Sequence, residues 1–423
     1  MKLFQEWLKP IFLLLVLAPV PAMADWPQFR GPNRDGNIAG LNLPKGWPKV
    51  LKETWKVTVG VGHSSPLLVD GRVFVFARQG EEEVLMALDA STGKELWRSS
   101  NAIAYEMNSA ALGHGKGPKS TPVVWNNRIY TFGITGVLSA HDAKIGKLIW
   151  RREFSKQFPA TSPLYGTAMS PVIERGLLIA HVGGHDKGAL VAFDVNTGEP
   201  RWTYDGDGPA YASPIVVTLA GMRQVVTFTQ KELISVDAAN GKLLWKFPAK
   251  TAYDTNSITP IVYRDTLIIS REELGLSALR IEREKTELVP REVWNNRENP
   301  LYLSTPILQN NRLVGFSVRN RGMFFALDPD SGQTLWQSPG RIAENAALLG
   351  IEPSVLALTT NATLVVINSA NKTFETQGEL EVAQSATWAH PVISRERILV
   401  KDETTLRSLS LPASRSVMER GRY

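Results

Sequence analysis

Histidine, tyrosine and tryptophan side chains recur in short polar segments that each precede a proline. Imidazoles and phenols exchange hydrogen bonds with a ligand, and aromatic rings stack on one. Because these segments recur along the whole chain, we expect several to converge on one site, the alternative being ordinary solvated loops. The candidate site residues are His63, His114, Tyr165, Tyr211, Asp254, Asn256, Tyr302, Trp388 and His390, with Arg319 at a predicted hairpin tip.

Asp, Gly and Trp recur at one fixed spacing in the elements that must position these segments. Asp accepts hydrogen bonds within a tight turn and Gly adopts positive φ there, so each unit predicts strand, turn, strand. A Trp on the outer strand could bury its ring against the neighbouring unit, with the Gly permitting close approach, which indicates a structural role. The units are Asp89/Gly93/Trp97, Asp142/Gly146/Trp150, Asp194/Gly198/Trp202, Asp237/Gly241/Trp245 and Asp328/Gly332/Trp336, and Trp55 stands in a similar strand.

A second recurrent element lies upstream of each unit: a small residue and a proline, then an apolar strand, a polar turn and another strand. Together the two elements make four short antiparallel strands, the content of a β-propeller blade. These prolines, 38 to 56 residues apart, are Pro66, Pro122, Pro171, Pro214, Pro260 and Pro306, with weaker equivalents at Pro353 and Pro391.

Counting the prolines gives eight blades. The last has room for three strands, and its fourth is available at residues 53–57, which are similar to residues 243–247. Strands from both termini in one blade would remove a free sheet edge. We therefore predict an all-β, eight-bladed propeller of four-stranded antiparallel blades, closed by N- and C-terminal strands. Because the fifth and seventh units have degraded motifs, seven blades is the alternative count.

The Asp-x-x-x-Gly-x-x-x-Trp units resemble the tryptophan-docking repeats of the pyrroloquinoline quinone (PQQ) type of propeller, over nearly all of residues 52–411. That superfamily includes quinoprotein alcohol dehydrogenases and the non-enzymatic, BamB-like scaffold proteins of outer-membrane assembly. Residues 25–36 further resemble the start of exported PQQ-like repeat proteins. The resemblance implies the fold and leaves the choice between enzyme and scaffold open.

A quinoprotein dehydrogenase would need further groups at the mouth of the channel. PQQ has three carboxylates that call for Lys or Arg, its Ca²⁺ needs hard oxygen ligands, and an aspartate acts as base toward the alcohol. The resemblance would place the metal on Glu106, Asn108 and Asn256 and the base at Asp254. The chain has no cysteine, and so lacks the adjacent-cysteine pair of many such enzymes. We therefore expect no cofactor, with PQQ and calcium as the alternative.

Composition and the chain ends bear on location and partners. The chain has 47 basic and 41 acidic residues, a net charge of +6 spread along its length, which disfavours nucleic-acid binding. Residues 1–24 have the basic start, short apolar run and Ala-x-Ala end of a signal peptide, and no later segment could span a bilayer. We predict an extension at 25–51, the propeller at 52–411 and a tail at 412–423, in a monomer that is periplasmic or secreted.

These patterns favour an exported, non-catalytic propeller that acts as a scaffold in the periplasm. It would bind another exported protein or a small ligand through the channel mouth. The alternative is a soluble quinoprotein alcohol dehydrogenase that uses PQQ and calcium. A third hypothesis is a sensor or carbohydrate-binding module, since Tyr165, Tyr211, Tyr302 and Trp388 could stack on rings.

Overall fold

The computed structural model of this chain describes residues 25–411, apart from positions 42, 44, 45, 273 and 395. The predicted signal peptide at 1–24 and the predicted tail at 412–423 lie outside the described residues. Within the described part, no helix is long and apolar enough to cross a membrane.

The regular secondary structure of the described chain is almost entirely antiparallel strand, with strands numbered β1 to β32 in eight sheets of four. The first four blades use β2–β17: Leu67–Val69, Arg72–Gln79, Glu82–Asp89, Glu95–Ala102; Val123–Trp125, Arg128–Phe132, Leu138–Asp142, Leu148–Arg152; Val172–Glu174, Leu177–Gly184, Lys187–Asp194, Pro200–Gly206; Ile215–Leu219, Met222–Phe228, Glu232–Asp237, Leu243–Pro248. The next three use β18–β29: Ile261–Tyr263, Thr266–Arg271, Gly275–Glu284, Glu287–Asn296; Ile307–Gln309, Arg312–Ser317, Met323–Leu327, Thr334–Gln337; Ala346–Ile351, Ser354–Thr359, Thr363–Asn368, Thr376–Glu381. The eighth joins β1 (Glu53–Thr58) to β30–β32 (Val392–Ile393, Arg397–Lys401, Thr405–Ser410). Two short 3₁₀ helices span Ser109–His114 and Arg319–Arg321.

The eighth sheet confirms the predicted closure. Its strand order is β1-β32-β31-β30, and β1 pairs antiparallel with β32, with Trp55 opposite Ser408. The eight-bladed prediction is therefore confirmed and the seven-bladed alternative is wrong. Apolar side chains of the middle strands are fully buried between neighbouring sheets and form the core.

One proline of the predicted series does not begin a blade. Pro353 lies in the turn between β26 and β27, whereas the seventh blade starts at Ala346, after Asn345. Asn345 therefore occupies the position that Ser or Thr holds before the inner strands of the first six blades. The number of blades was predicted correctly, but the start of this blade was wrong because a turn proline was taken for the one before the strand.

The motif tryptophans dock each blade onto the next. The indole N–H donates to the backbone carbonyl one residue after the position of the motif Asp in the next blade, at 3.0–3.2 Å. The motif Gly lies under the ring at φ near +72°, and a Cβ on it would stand 2.4–2.8 Å from the indole. Gly is required here for both its backbone conformation and its missing side chain. The docked pairs are Trp55–Gly93, Trp97–Gly146, Trp150–Gly198, Trp202–Gly241 and Trp294–Gly332.

Docking changes where the next blade lacks the Asp-x-x-x-Gly turn. Trp245, before the degraded fifth blade, donates to Gln224 of its own blade at 2.7 Å. Trp336, before the degraded seventh blade, is buried, and its Nε1 has no hydrogen-bond partner among the described residues. Its ring instead packs on Phe374, with centroids 5.6 Å apart. The turn, rather than the tryptophan, therefore decides whether the hydrogen bond forms.

The N-terminal extension supplies the tryptophan that the seventh blade lacks. Gly378 pairs with Val366 in the register where Trp336 pairs with Ala326, so a glycine occupies the docking position. Trp47 covers this glycine, and a Cβ at Gly378 would stand 2.9 Å from the Trp47 Cβ. An indole from outside the blade thus lies at the site of the missing side chain.

Hydroxyl side chains link the inner ends of the blades around the channel. Five of the six hydroxyl ring residues, all except Thr305, donate their backbone N–H to the hydroxyl of the counterpart in the next blade, at 2.9–3.3 Å. Because each bond joins two blades, the series sets the distance between neighbouring inner strands. The ring residues are Ser65, Thr121, Ser170, Ser213, Thr259 and Thr305, with Asn345 and His390 in the corresponding positions of the last two blades.

Residues 25–37, called here the crossing segment, span the channel. At one side Arg34 donates to the backbone carbonyls of Ser170 and Pro171, before the third blade. Arg30 donates to the carbonyls of Thr305 and Pro306, before the sixth blade. Since these blades lie on different sides of the ring, the segment ties distant blades together. Further backbone contacts reach the first, second and seventh blades through Trp26, Pro27, Gly36 and Ile38.

Candidate functional site

A cavity of about 170 Å³ at the mouth of the channel, the mouth cavity, brings together seven of the ten predicted site residues. They come from loops of different blades and are joined there by Phe29 of the crossing segment and by Lys119. The seven are His63, His114, Tyr165, Tyr211, Tyr302, Trp388 and His390.

Position relative to the ring residues explains why these side chains meet. His63, Tyr211 and Trp388 each stand two residues before a ring position, and Lys119 and Ser257 do the same in their own blades. Side chains two apart on extended chain point the same way, and the blades repeat that direction around the axis. Ser257, which was not among the predicted mouth residues, could therefore have been found by counting back from each Ser/Thr-Pro pair.

Five aromatic rings of the mouth cavity form a cluster of three and a separate pair. The His63 imidazole stacks on Trp388 with centroids 5.2 Å apart and planes 13° from parallel. His114 meets both edge-on, at 5.9 Å from His63 and 5.3 Å from Trp388. The His390 ring packs edge-on against Phe29 at 5.1 Å. These rings offer flat apolar faces next to imidazole nitrogens.

Tyrosines form a second aromatic group. Tyr165 and Tyr211 meet edge-on with centroids 5.7 Å apart, and the Tyr211 hydroxyl accepts the backbone N–H of Tyr165 at 3.3 Å. Burial raises the pKa values of Tyr211 and Tyr302 above the usual range, so both phenols stay neutral. Neutral phenols can donate and accept hydrogen bonds towards a ligand.

The imidazoles of the mouth cavity are neutral at physiological pH. Burial, helped by Lys119 and His114, lowers the pKa of His63 to about 3. Burial and Arg30 lower the pKa of His390 to about 3, and burial also lowers the pKa of His114. Each ring therefore keeps one nitrogen as a hydrogen-bond acceptor and one as a donor.

Lys119 supplies the one ammonium group that lines the mouth cavity among the described residues. Its Nζ donates to the backbone carbonyl of Tyr165 at 2.6 Å, and burial lowers its pKa to about 8. No Asp or Glu side chain from the described part of the chain lines this cavity. Its lining is therefore aromatic and largely uncharged.

Three predicted mouth residues lie elsewhere. Arg319 is exposed in its short 3₁₀ helix and does not line the mouth cavity. Asp254 and Asn256 stay in the loop after the fourth blade, also outside the lining. Asn256 Nδ2 donates to the Ala249 carbonyl at 2.7 Å, so the side-chain amide of Asn256 points towards the backbone of its own loop.

The predicted metal ligands have other surroundings in the described structure. Glu106 is exposed, and the Asn108 side chain accepts the Ala110 N–H at 3.0 Å, capping the helix that carries His114. The Asp254 Oδ1 and Asn256 Oδ1 atoms are buried and have no hydrogen-bond partner among the described residues. Among those residues no group of three or more His, Asp or Glu side chains could hold a metal ion.

PQQ and its calcium do not fit the lining of the mouth cavity. The three carboxylates of PQQ need several cationic partners, and Ca²⁺ takes six to eight oxygen ligands, many of them carboxylates. The described lining offers one ammonium, already bonded to a carbonyl, and no carboxylate. The donor set suits an uncharged or aromatic partner better than an anionic quinone with a divalent cation.

Buried neutral histidines make the stability of the fold dependent on pH. His181 on β11 donates its Nε2–H to the Asp207 carbonyl at 3.2 Å, and burial lowers its pKa to about 4. In the unfolded chain its pKa is about 6.5. Below pH 6.5 the unfolded state therefore binds more protons, and we expect the free energy of unfolding to fall as pH drops towards 4, by up to about 1.4 kcal/mol per pH unit from this residue.

Urea unfolding of the native chain and of His181→Gln between pH 7 and 4.5 measures this contribution. The variant lacks the titrating group, so its free energy of unfolding should fall less steeply by about 1.4 kcal/mol per unit once pH is well below 6.5. Equal slopes for the two proteins would show that His181 does not take up a proton on unfolding.

Comparison with known proteins supports the fold and the family. Residues 51–112 and 80–338 match the family model described as outer membrane protein assembly factor BamB. The chain is 22% identical over 375 residues to the outer membrane protein assembly factor BamB of Yersinia pestis, covering 82% of this chain and 86% of that protein. It is 24% identical over 322 residues to the quinone alcohol dehydrogenase subunit of Gluconacetobacter polyoxogenes, covering 67% of this chain but 41% of that subunit.

Solved structures show the same architecture. The quinohemoprotein alcohol dehydrogenase of Comamonas testosteroni superposes with a TM-score of 0.68 at 14% identity, covering 94% of this chain and 82% of that one. BamB of Moraxella catarrhalis superposes with a TM-score of 0.61 at 14% identity, covering 88% of this chain and 100% of that one. At such identities the likeness concerns the fold alone. Because the family model matches well over half of this chain, the chain belongs to the BamB family of PQQ-type β-propeller proteins.

Proposed function

We propose that this protein is an exported, non-catalytic propeller that acts as a binding scaffold in the periplasm. Its mouth cavity would receive an apolar or aromatic group of another exported protein or of a small ligand. The observation that carries the proposal is the lining of that cavity: neutral imidazoles, phenols and an indole, with no carboxylate among the described lining residues. Such a lining provides stacking faces and neutral hydrogen bonds, and lacks the charged groups that quinone chemistry requires.

The pattern of alignment supports a scaffold over an enzyme. The match to the Yersinia pestis assembly factor runs over most of both chains. The match to the Gluconacetobacter polyoxogenes dehydrogenase subunit spans about two fifths of that protein, so much of the enzyme has no counterpart in the alignment. Two observations support a location in the periplasm: a relative is named for outer-membrane assembly, and an export signal is predicted at 1–24.

Titration of the purified protein with PQQ and Ca²⁺ tests the non-catalytic part of the proposal. We expect no saturable change in quinone absorbance, no rise in melting temperature, and no dye-linked oxidation of alcohols. Saturable binding accompanied by turnover would overturn the scaffold proposal. A quinoprotein dehydrogenase preparation serves as the positive control for quinone and dye.

Site-specific photo-crosslinking in cells tests the binding part. A photoreactive phenylalanine analogue at Tyr302, in the mouth cavity, is expected to give discrete crosslinked species. The matched control places the same group at Leu335, which is 43% exposed on the outer strand β25. Equal labelling from both positions, or none from Tyr302, would contradict binding at the mouth.

One observation favours the quinoprotein alternative. The unpartnered oxygens of Asp254 and Asn256 belong to residues that the family resemblance assigns to chemistry. Melting with Ca²⁺ alone, for the native chain and Asp254→Asn, examines this pair directly. A calcium-dependent rise that the variant loses would support a cation site in this loop, whereas identical melting curves would leave the two oxygens as buried loop atoms.

A further inference from the structure

A second cavity of about 400 Å³ lies farther along the channel, between the crossing segment and the inner strands of the third to sixth blades. Arg30 and Arg34 line it on the side of the crossing segment. Apolar side chains line it on the side of the blades, among them Ile215, Ile261 and Leu308. It therefore combines two arginines with apolar walls, unlike the mouth cavity.

Both guanidinium groups are buried without an anionic partner. Arg30 is 2% exposed and Arg34 is 8% exposed. Their hydrogen-bond partners among the described residues are backbone carbonyls and the Gln28 amide oxygen, and none is a carboxylate. Buried charges in folded proteins are normally paired. Two cations in the lining of one cavity, neither hydrogen-bonded to a carboxylate, are what an anion would complete.

The guanidinium groups also have donors to spare. Each arginine has five N–H donors, and the described hydrogen bonds use three of them on either residue. The Nε atoms of both are buried without a partner among the described residues. Burial lowers the pKa of Arg34 to about 9, with repulsion from Arg30 adding to the effect, which shows that the present surroundings do not balance its charge.

The acidic groups of the same cavity limit which anion could enter. Glu174 lines it but is held by Arg223 in two hydrogen bonds of 3.0 and 2.8 Å. The Asp35 side chain accepts the Asn37 N–H at 2.9 Å and also lines the cavity. These carboxylates would repel an anion of high charge such as a nucleotide. A single negative charge on an apolar body matches both the two cations and the walls.

We propose that this second cavity binds a carboxylate carried on a small apolar body, held by the guanidinium groups of Arg30 and Arg34. The ligand is a free organic acid or the C-terminal carboxylate of a polypeptide, which share this chemistry. The site is separate from the mouth cavity, so its occupancy is independent of the scaffold role proposed above.

The test uses hexanoate as the probe, with hexanol as its uncharged counterpart, at constant ionic strength. Isothermal titration and thermal melting of the full chain are expected to show saturable binding of hexanoate and none of hexanol. An apolar tetrapeptide with a free C-terminus, compared with its amide, tells the two sources apart: tighter binding of the free peptide identifies a polypeptide end, and binding of hexanoate alone identifies an organic acid. No saturable binding of hexanoate or of the peptide would overturn the proposal.

Variants at Val262 separate ligand binding from the structural role of the arginines. Val262 lines the cavity and is 39% exposed, so polar substitutions are tolerated there. Val262→Glu would place a carboxylate in the same cavity as the guanidinium groups, and we expect it to weaken hexanoate binding at least about tenfold, whereas Val262→Gln should leave it within about threefold. Val293→Glu, at a 43% exposed position on the outer strand β21, controls for added charge. Equal weakening by all three variants would also overturn the proposal.

Discussion

Replacing Trp55 by alanine is expected to lower the free energy of unfolding by about 3–5 kcal/mol, the range for deleting a buried aromatic side chain. Trp55 is 8% exposed and lies on β1, the N-terminal strand that completes the eighth blade. Its indole donates to the Ala90 carbonyl at 3.0 Å and covers Gly93 of the first blade. The substitution therefore removes packing at the point where the two ends of the propeller meet.

Urea unfolding of Trp55→Ala, followed by circular dichroism, measures this loss. Trp125→Ala is the control, because Trp125 is partly buried at the end of an inner strand and its removal should cost less than half as much. Trp55→Phe keeps most of the ring but loses the hydrogen bond. We therefore expect it to lower the free energy of unfolding by about 1 kcal/mol, the contribution of that bond. A Trp55→Ala protein as stable as Trp125→Ala would show that closure does not depend on this docking contact.

Replacing Arg30 by methionine is expected to lower the free energy of unfolding by about 3 kcal/mol or more, since a buried carbonyl left without its donor costs about 1–3 kcal/mol. Arg30 donates to the carbonyls of Thr305, Pro306 and Asp35 at 2.8–2.9 Å. Methionine fills the space of the aliphatic stem but provides no donor. The decrease in the free energy of unfolding would therefore measure the contribution of the hydrogen bonds that hold the crossing segment to the sixth blade.

Arg319→Met is the matched control for Arg30→Met. Arg319 is exposed, and a surface substitution of this kind is expected to change stability by no more than about 0.5 kcal/mol. Protease sensitivity within residues 25–37 provides a second measurement, because a released crossing segment would be cut before the blades unfold. Equal stability of the two variants, with the segment still protected, would contradict a tethering role for Arg30.

Much of the fold could be predicted because its signals are local. Alternating apolar residues, the Asp and Gly of each turn, and the Trp four residues on lie within one hairpin, where neighbouring residues decide the conformation. Repetition of that hairpin then indicated the blade and the count of eight. The misplaced start of the seventh blade shows the limit, since a proline in a turn and a proline before a strand look alike in sequence.

The candidate site was predicted in part for a similar reason. His63, Tyr211 and Trp388 stand two residues before a ring position, so the repeat itself aims them at the channel. Offset alone does not decide the rest, since Tyr165 and Tyr302 line the cavity at the offsets of five and three residues that Asp254 and Asn256 also have. In the loop of Asp254 and Asn256 the path of the chain follows from its own hydrogen bonds rather than from the repeat.

The sequence by itself determined the blades, their number and the loops that face the channel, because hairpins form through contacts between residues close in the chain. Only the tertiary structure revealed that Trp47 covers Gly378, that Arg30 and Arg34 cross the ring, and that two cavities of different character lie along it. These contacts join residues separated by up to more than three quarters of the chain, such as Trp47 and Gly378. No spacing rule relates such residues, since they meet only after all eight blades have closed into a ring.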